Sequence, residues 1–441
     1  MSKYSRFALI LVILLLAGCN RPQALPKGLP AETDLRQAAT DTEVPLPVST
    51  QTQLPTYTQP PAAEGVDPTQ GPPQPTSDNQ IDLWGTPIPL LAAAAEITIH
   101  EIHMINSQFG WALTQDAKGI DHILRTANGG YSWRDITPPQ PIDPSLTRFG
   151  ADVSFIDPNT GWAIYYGSDL VWSTENGGTT WQVNQLDFRS YMESMLVSLD
   201  PNHVWVFQFI EGGMQHVYTA LASSQDRGQT WSTLLDPYTD TSIQAFDKTG
   251  AAFVNSEYGW VTRDFRGVAV YLYLDTTSDG GSTWQNLEMP APPSDPDVFS
   301  TCACGLYDPS LVNTAVGSAR LSCVCYVDDF KLEKNYLYRT IDGAATWDIQ
   351  SMPGGDLHFI SGQTYYATGR EIYRTSDGGN NWNLVKSSVN WDGQFSFIDL
   401  NNALVVAYDP DDDQYALVVT SNGCGSFDLI IPELLASQSI R

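Results

Sequence analysis

Four cysteines near the middle of the chain have a spacing that would support redox or metal chemistry: Cys302, Cys304, Cys323 and Cys325. Alternate residues of a β-strand point to one side of a sheet, so each Cys-x-Cys pair would align two thiols. Antiparallel pairing of the two strands would bring the four thiols together, either as two cross-strand disulfides or as a tetrahedral zinc site. Zinc sites usually have two or more residues between paired ligands, so the single intervening residue favours disulfides. Cys424 is then left without a partner.

Other residues that could hold a metal ion are spaced less favourably. Four aspartates late in the chain could offer oxygen ligands to calcium: Asp409, Asp411, Asp412 and Asp413. They lack the spaced pattern of a dedicated calcium loop, so a solvated hairpin tip is the favoured interpretation. His100 and His103 are three residues apart, which places them on opposite faces of a strand and argues against a shared metal. We expect neither a metal nor an organic cofactor.

The elements that must position these groups repeat along the chain. The stretch YRTSDGGNNW predicts a hairpin turn in which glycine supplies a positive φ and the aspartate bonds backbone amides. Similar stretches occur seven times, with an Asp or Asn five residues before an aromatic residue: Asn128, Asn176, Asp226, Asp279, Asp342, Asp377 and Asn422, before Trp133, Trp181, Trp231, Trp284, Trp347, Trp382 and Phe427. We expect these residues to hold the turns and do no chemistry. Ala344 and Cys424 replace a turn glycine, so those two turns should be looser or differently shaped.

The period of the repeat predicts the fold. Residues 96–431 hold seven copies of about 48 residues, the size of one four-stranded propeller blade. We therefore expect an all-β protein, a single seven-bladed β-propeller with four-stranded blades over residues 82–432, followed by a C-terminal tail at 433–441. The apolar stretch Ile81–Leu91 should lie against the propeller.

The repeated motif Ser/Thr-x-Asp-x-Gly-x-Thr-Trp resembles the Asp-box, or BNR repeat, of sialidases, sortilin-type receptors and secreted glycosidases. Four copies also carry an upstream tryptophan: Trp111, Trp162, Trp205 and Trp260. The combination FIDPNTGWAIYY and VWSTENGGTTW is most similar to the photosystem II assembly-factor-like propellers. This resemblance implies a non-catalytic propeller that binds membrane-protein intermediates. It is specific for the fold and much less so for the function.

A secreted glycoside hydrolase is the alternative function. The sialidase resemblance implies an arginine triad, a Tyr/Glu nucleophile pair and an acid Asp, but the Arg-Ile-Pro signature ahead of the first box is absent. Arg125, Arg339 and Arg374 recur at one box position, which indicates a structural role. The xyloglucan hydrolases with Asp-boxes usually consist of two propellers, and this chain holds one.

The favoured interpretation is a binding or assembly module for a protein or glycan partner, with no catalytic residues. The mouth of the central channel discriminates between the two functions. An enzyme should gather two or three carboxylates or an arginine triad there, with perturbed pKa values.

The N-terminus predicts secretion and lipid attachment. Residues 1–18 combine Lys3 and Arg6 with the apolar run Phe7–Leu16, which is typical of a signal peptide and too short to span a bilayer comfortably. The sequence Leu-Ala-Gly-Cys ending at Cys19 resembles the lipobox of bacterial lipoproteins, which implies that Cys19 carries the lipid. We expect an extracytoplasmic protein that is anchored to the cell membrane.

The composition of residues 19–81 predicts a disordered linker. Fourteen of the 29 prolines lie between residues 20 and 90, among Thr, Gln, Ala and Ser. A segment with so few aromatic residues cannot bury enough apolar surface to offset the entropy of ordering. The segment should act as a stalk between the lipid anchor and the propeller.

The chain is strongly acidic, with a formal net charge of −28. Such a charge makes nucleic acid and anionic lipid surfaces poor partners for the folded part. Solubility outside the cell is the favoured explanation for this acidity.

Overall fold

The computed structural model describes residues 85–143, 149–213, 216–240, 242–243, 247–264, 271–327 and 330–436. The predicted signal peptide, Cys19 and the predicted linker lie outside these ranges. The described part is almost entirely β-structure, with a single helical turn, and it contains no helix long and apolar enough to cross a membrane.

The strands of the described part follow one another at short intervals. The first sixteen are β1 Ile99–Met104, β2 Gly110–Gln115, β3 Asp121–Thr126, β4 Ser132–Asp135, β5 Ala151–Phe155, β6 Gly161–Tyr165, β7 Leu170–Thr174, β8 Gln182–Gln185, β9 Ser194–Ser198, β10 Val204–Gly212, β11 Val217–Ser224, β12 Ser232–Leu235, β13 Asp247–Phe253, β14 Gly259–Asp264, β15 Tyr273–Thr277 and β16 Gln285–Glu288. After the helical turn α1 (Val298–Thr301) come β17 Cys302–Leu311, β18 Gly317–Val327, β19 Phe330–Thr340, β20 Asp348–Met352, β21 Asp356–Ser361, β22 Thr364–Thr368, β23 Ile372–Thr375, β24 Asn383–Lys386, β25 Asp392–Phe397, β26 Ala403–Asp409, β27 Gln414–Thr420, β28 Asp428–Ile430 and β29 Glu433–Leu435.

Each sequence repeat forms an antiparallel meander of four consecutive strands, and we number the repeats one to seven in chain order. Repeats 2, 3, 6 and 7 are separate four-stranded sheets. Repeats 4 and 5 are joined into one sheet because Asp264 of β14 pairs with Gly305 of β17. The first strands of repeats 2 to 6 contact one another in succession, β2 and β3 of repeat 1 contact β5, and β1 contacts β25 of the last repeat. This arrangement of small sheets around a ring is that of a β-propeller.

Strand β29 closes this ring, so residues 433–435 belong to the propeller and not to the predicted tail at 433–441. Strand β29 pairs parallel with β4, and Leu434 lies opposite Trp133. The Leu434 side chain is buried in a cluster with Ile99 and Ile430. Strand β4 is the outer edge of repeat 1, so a further strand satisfies edge groups that would otherwise face solvent.

The segment before the first repeat packs against the propeller, as predicted. Ile88 is buried in a cluster with Phe149 and Trp172, and its N–H donates to Gln140 O at 2.9 Å. The segment forms one isolated bridge, at Pro87, and no strand. An apolar stretch after a polar linker therefore packs across the junction of repeats 1 and 2.

Seven copies of one hydrogen-bond pattern hold the turn between the third and fourth strands, which we call the repeat turn. In each copy the Asp or Asn oxygen accepts the N–H of the residue four positions later, at 2.8–3.0 Å. The Thr or Ser two positions earlier accepts a second turn N–H, also at 2.8–3.0 Å. These side chains are therefore occupied in satisfying backbone amides.

The two turns without the second glycine have the same shape as the others, so the prediction of a different shape is wrong. Ala344 and Cys424 both have φ of 70°. Their N–H groups donate to Thr340 and Thr420 at 3.0 Å, as the glycines do in the other repeats. The hydroxyl acceptor holds these two residues in the left-handed region that glycine normally occupies.

The predicted disulfides are present and join β17 to β18. Cys302 bonds Cys325, and Cys304 bonds Cys323, within one buried cluster that includes Phe299. The antiparallel register places each pair directly opposite. Covalent pairing leaves no thiolate at this position for zinc.

The two disulfides are nested, so their effects on stability should not add. Once Cys302–Cys325 is closed, Cys304–Cys323 constrains little additional chain. We therefore expect either single pair of Cys→Ser changes to cost well under 1 kcal/mol of unfolding free energy. Removal of both bridges should cost about 3 kcal/mol, the loop-closure value for roughly 20 residues. Urea denaturation of the three variants measures this. Equal and additive losses from the two single removals would contradict the chain-entropy explanation.

Candidate functional site

The two ends of the propeller differ in composition. At one end, every repeat turn donates an N–H to the turn between the first and second strands, at 2.7–3.4 Å. We call this end the turn face. The opposite end, where the first strand of each repeat begins and the second strand turns into the third, is the mouth face.

Acidic residues recur where the first strands begin, on the mouth face. Four repeats have a carboxylate at the same position, three residues before a buried or half-buried apolar residue, and repeat 7 has an amide there: Glu101, Asp152, Asp308, Asp356 and Gln394. The stretches EIHM, DVSF, DPSL, DLHF and QFSF show the common register. Sequence reasoning missed this position, although the acid in the motif was visible.

Three of these side chains bond the first strand of the next repeat. The contacts are Asp152 with the N–H of Leu196, Asp308 with the N–H of Leu357 at 3.1 Å, and Gln394 with the N–H of Ile102 at 3.0 Å. The first strand is the inner edge of its sheet, so this N–H has no partner within the sheet. The side-chain oxygen supplies the missing acceptor and ties adjacent repeats together around the channel.

Carboxylates of repeats 1 and 3, Glu101 and Glu193, act electrostatically on Asp152 of repeat 2 at this mouth. Asp152 is surrounded by protein although its side chain keeps some solvent exposure. Burial raises the pKa of Asp152 to about 7, and the charges of Glu101 and Glu193 add to the effect. Burial likewise raises the pKa of Glu101. Glu101 and Asp152 are therefore two acids of the mouth face with raised pKa values, as the criterion for an enzyme requires.

Glu101 differs from the other carboxylates at its position. Among the described residues, no hydrogen bond or ion pair to its carboxyl group is formed. Its electrostatic neighbours are His100, which opposes the rise in its pKa, and Asp121, which promotes it. Asp121 itself is engaged, because its oxygens lie 3.3 Å from His100 Nε2 and 3.0 Å from the N–H of Ala151. Glu101 is therefore a half-buried acid that holds its proton more tightly than a surface glutamate.

Basic groups occupy the other side of the mouth. Arg320 of repeat 5 pairs with Asp308 at 2.5 Å and with Asp356 at 3.1 Å, and so joins repeats 5 and 6. Burial lowers the pKa of Lys248 to about 7 and that of His358 to about 4. The mouth therefore has an acidic half over repeats 1–3 and a mixed half over repeats 4–6.

Exposed aromatic side chains surround the mouth face. They lie in the segments before first strands and in turns between second and third strands, and each is more than half exposed: Tyr191, Tyr238, Tyr271, Tyr326 and Phe330. The last two lie at the end of the β18–β19 hairpin, whose strands are eleven residues each and the longest in the described part. The disulfides join this hairpin to β17, so they brace the most projecting aromatic residues.

The other sequence-predicted candidates show no metal-binding arrangement. Asp409, Asp411, Asp412 and Asp413 lie at the end of the β26–β27 hairpin, on the mouth face of repeat 7, where Asp409 accepts the N–H of Asp411 at 3.0 Å. The described residues contain no group of three or more His, Cys, Asp or Glu side chains arranged to hold a metal ion. His103 stacks on Trp111 with ring centroids 5.7 Å apart.

Comparison with known proteins gives only distant structural likenesses. Neither a protein-family model nor a curated protein sequence matches the chain. The chain is similar to a GH74 enzyme of Niastella koreensis at 15% identity and a TM-score of 0.31, covering 75% of this chain and 62% of that one, which is less than two thirds of the enzyme. It is also similar to an ulvan lyase of family PL25 (11%, TM-score 0.41, covering 77% and 86%) and to the six-bladed fucose-recognising lectin of Aleuria aurantia (9%, TM-score 0.40, covering 80% and 100%). At these identities and TM-scores the likenesses carry no argument about function.

Replacement of Asp152 by asparagine should stabilise the protein at pH 8 and leave its stability at about pH 4 unchanged. Asparagine keeps an oxygen for the Leu196 N–H but carries no charge. Because burial raises the pKa of Asp152 to about 7 in the folded state, its ionisation destabilises the fold progressively as the pH rises from about 4 to about 7. The unfolding free energy of Asp152→Asn minus that of the wild type, measured in urea across this range, should therefore increase with pH.

Asp377→Asn is the matched control, with the opposite sign. Asparagine occupies the equivalent position in repeats 1, 2 and 7, so the turn accepts it. Hydrogen bonding from Asn381 lowers the pKa of Asp377 to about 2, so the ionised group contributes stability above about pH 4 that is lost as the pH falls towards 2. Asp377→Asn should therefore be less stable than the wild type at neutral pH, with the difference closing in acid. A pH-independent difference for Asp152→Asn would contradict the effect of burial.

Proposed function

We propose that this protein is a carbohydrate-active propeller that hydrolyses glycosidic bonds at its mouth face. The observation that carries the proposal is the interacting group of Glu101, Asp152 and Glu193 at the entrance of the channel. Glycoside hydrolysis usually needs two carboxyl groups, one protonated and one ionised, on either side of the scissile bond. An acidic mouth in which burial raises the pKa of Glu101 and Asp152, with the charges of neighbouring carboxylates adding to the rise at Asp152, meets this requirement.

Glu101 is the proposed general acid. Its pKa is raised by burial, and no hydrogen bond to another described residue holds its proton. A protonated carboxyl on the first strand of a repeat can transfer its proton to the leaving oxygen of a sugar bound at the mouth. Since the acid must be protonated, turnover should fall as the pH rises above the pKa of Glu101.

Glu193 is the proposed partner carboxylate, and Asp152 positions the pair. Glu193 is exposed just before β9, where it can reach a water molecule or the anomeric carbon. Asp152 bonds the N–H of Leu196 in the same strand and thereby ties repeat 2 to the segment that carries Glu193.

The exposed aromatic residues of the mouth face would bind the sugar chain. Pyranose rings present apolar faces that pack on aromatic rings, and tyrosine adds a hydroxyl at low entropic cost. Tyr191 lies two residues before Glu193, and Phe330 ends the projecting hairpin. A polysaccharide lying across the mouth would contact both.

We also propose seven blades and a lipid anchor at Cys19. Seven repeat turns and seven four-strand meanders support the blade count, with repeats 4 and 5 as two blades joined at β14 and β17. The lipobox resemblance at Cys19 supports an extracytoplasmic, membrane-anchored location. A stalk over residues 19–81 would let the mouth face reach polysaccharide outside the membrane.

A non-catalytic binding module, as in the resemblance to photosystem II assembly factors, is the second candidate. The position of Asp152 favours it, because Gln394 makes the equivalent inter-repeat bond in repeat 7 without an ionisable group. On this interpretation the mouth acids serve the fold, and the aromatic residues bind a protein or glycan without turnover.

Glu101→Gln separates these candidates. With a panel of aryl glycosides and plant and microbial polysaccharides, we expect the wild type to show turnover and Glu101→Gln to lose roughly 100- to 10,000-fold, as for loss of a general acid. Glu288→Gln, on the exposed outer strand of repeat 4, is the matched control and should retain full activity. No turnover of any substrate by the wild type, together with retention of a partner, would favour the binding module.

Cys19→Ser tests the anchor. Without the acylated cysteine, the protein should move from the membrane fraction to the soluble fraction, because no other lipid attachment is proposed. Mass spectrometry should show Cys19 as the mature, acylated N-terminus. An unmodified N-terminus at another residue would contradict the proposal.

A further inference from the structure

A groove of about 710 Å³ lies at the outer edge of the propeller between repeats 1 and 2. We call it the rim groove, and its walls include Leu90, Arg125, Arg134, Ile136, Thr180 and Trp181. Thr180 and Trp181 belong to the repeat turn of repeat 2, so the groove opens near the turn face and is separate from the mouth. It combines apolar walls with two guanidinium groups in a chain whose net charge is −28.

The two arginines of the rim groove face each other across paired strands. Arg125 of β3 is directly opposite Arg134 of β4. Like charges at such positions destabilise a sheet. Burial and the charge of Arg134 lower the pKa of Arg125. Arg134 is exposed and forms no hydrogen bond or ion pair with any residue in the described ranges.

The other repeats show what this pair of positions normally holds. In repeat 5, Arg339 is opposite Asp348 and pairs with it at 3.6 Å, and in repeat 6 Arg374 is opposite Asn383. Arg339 also donates to Gly378 O of the next repeat at 3.0 Å, as Arg125 donates to Pro158 O at 2.8 Å. The first arginine therefore has a structural role that recurs. Only repeat 1 places a second arginine opposite it.

The remaining positions equivalent to Arg134 are also polar or acidic, and none is basic: Gln182, Ser232, Gln285, Asp348, Asn383 and Asp428. Arg134 thus departs from the repeat at a place where the fold does not need it. In repeat 5 the negative charge opposite the first arginine comes from Asp348. In repeat 1, where Arg134 takes that position beside a groove, we infer that a bound ligand supplies the negative charge.

The carboxylate of Asp135 lines the same groove but does not balance both arginines. Its oxygens accept the N–H of Leu91 at 2.8 Å and the N–H of Thr137 at 2.9 Å, and one lies 2.9 Å from His122 Nδ1. The lining therefore sets one carboxylate against two guanidinium groups. The groove keeps an excess of positive charge.

We propose that the rim groove binds a carboxylate-bearing sugar, such as a uronate residue of an acidic polysaccharide, with Arg134 as the carboxylate-binding residue. A guanidinium matches a carboxylate with two parallel hydrogen bonds. Trp181 supplies an aromatic wall, held by its indole N–H donating to Ile136 O at 2.7 Å. Thr180 Oγ1 accepts a bond from Asn176 at 2.8 Å and keeps its own proton for a sugar hydroxyl. The choice of a sugar rests on the proposed function.

The protein would then have two separate contacts with one polymer. The mouth would act on the chain, and the rim groove would retain an acidic segment of it. Tethering of this kind raises the local concentration of substrate without any new contact at the mouth.

The test uses the full chain carrying Glu101→Gln, so that binding is measured without turnover. Isothermal titration with trigalacturonate should show saturable binding, and a neutral trisaccharide of galactose should bind at least tenfold more weakly. Arg134→Gln should weaken trigalacturonate binding roughly 10- to 100-fold, the loss expected for one charge-assisted contact. Arg227→Gln, an exposed arginine in the repeat turn of repeat 3, is the matched control and should bind normally.

Arg134→Asp provides a second, independent measurement. It recreates the Arg339–Asp348 arrangement of repeat 5, so it should abolish binding and raise the melting temperature of the unliganded protein. Absence of saturable trigalacturonate binding, or equal affinity in Arg134→Gln and Arg227→Gln, would overturn the proposal.

Loss of binding at the rim groove and loss of hydrolysis at the mouth can be told apart. In a chain with an intact Glu101, Arg134→Gln should leave turnover of small aryl glycosides unchanged because they do not reach the rim. Arg134-dependent binding without any turnover would leave the rim groove as a site and remove the hydrolase. Turnover by the wild type, with trigalacturonate binding that does not depend on Arg134, would support the hydrolase and remove the rim groove as a site.

Discussion

The inner edge of each sheet is the constraint on which the rest of this structure depends. The first strand of a repeat has a partner on one side only, except in repeat 5, where β17 also pairs with β14, and its other N–H groups lie at an open edge of the sheet. Asp152, Asp308 and Gln394 supply acceptors for the next repeat, at equivalent places. The fold therefore requires oxygen-bearing side chains at the mouth, whatever the protein does there.

This requirement explains why chemistry is possible at the mouth. Carboxylates recruited to satisfy amides become crowded at a narrow entrance, where enclosure raises the pKa of Asp152 to about 7. One member of the set, Glu101, occupies the position without a hydrogen bond to another described residue. Because the carboxyl of Glu101 does not accept an N–H from the described part of the next repeat, as three of its equivalents do, it is available for proton transfer. This availability is the physical basis of the proposed hydrolysis.

The repeats also provide their own controls. Because seven copies share one turn, a residue that departs from the pattern can be compared with six equivalents in the same chain. Arg134 opposite Arg125 contrasts with Asp348 opposite Arg339. The β18–β19 hairpin of repeat 5, which two disulfides join to β17, is another departure, because its strands are longer than their equivalents in the other repeats. Both departures lie beside exposed surfaces, where a ligand can meet them.

The sequence by itself determined the repeating sheets, the turn residues and the cysteine pairing, because these depend on short-range spacing and on alternation within a strand. Only the tertiary structure decided that Leu434 closes the ring, that Ala344 and Cys424 keep the glycine conformation, and that the acids converge. Leu434 and its partner Trp133 are some 300 residues apart, and Glu101 and Asp152 lie in different sheets. Their proximity, and the rise in pKa that follows from it, comes from packing between repeats, which a local pattern does not encode.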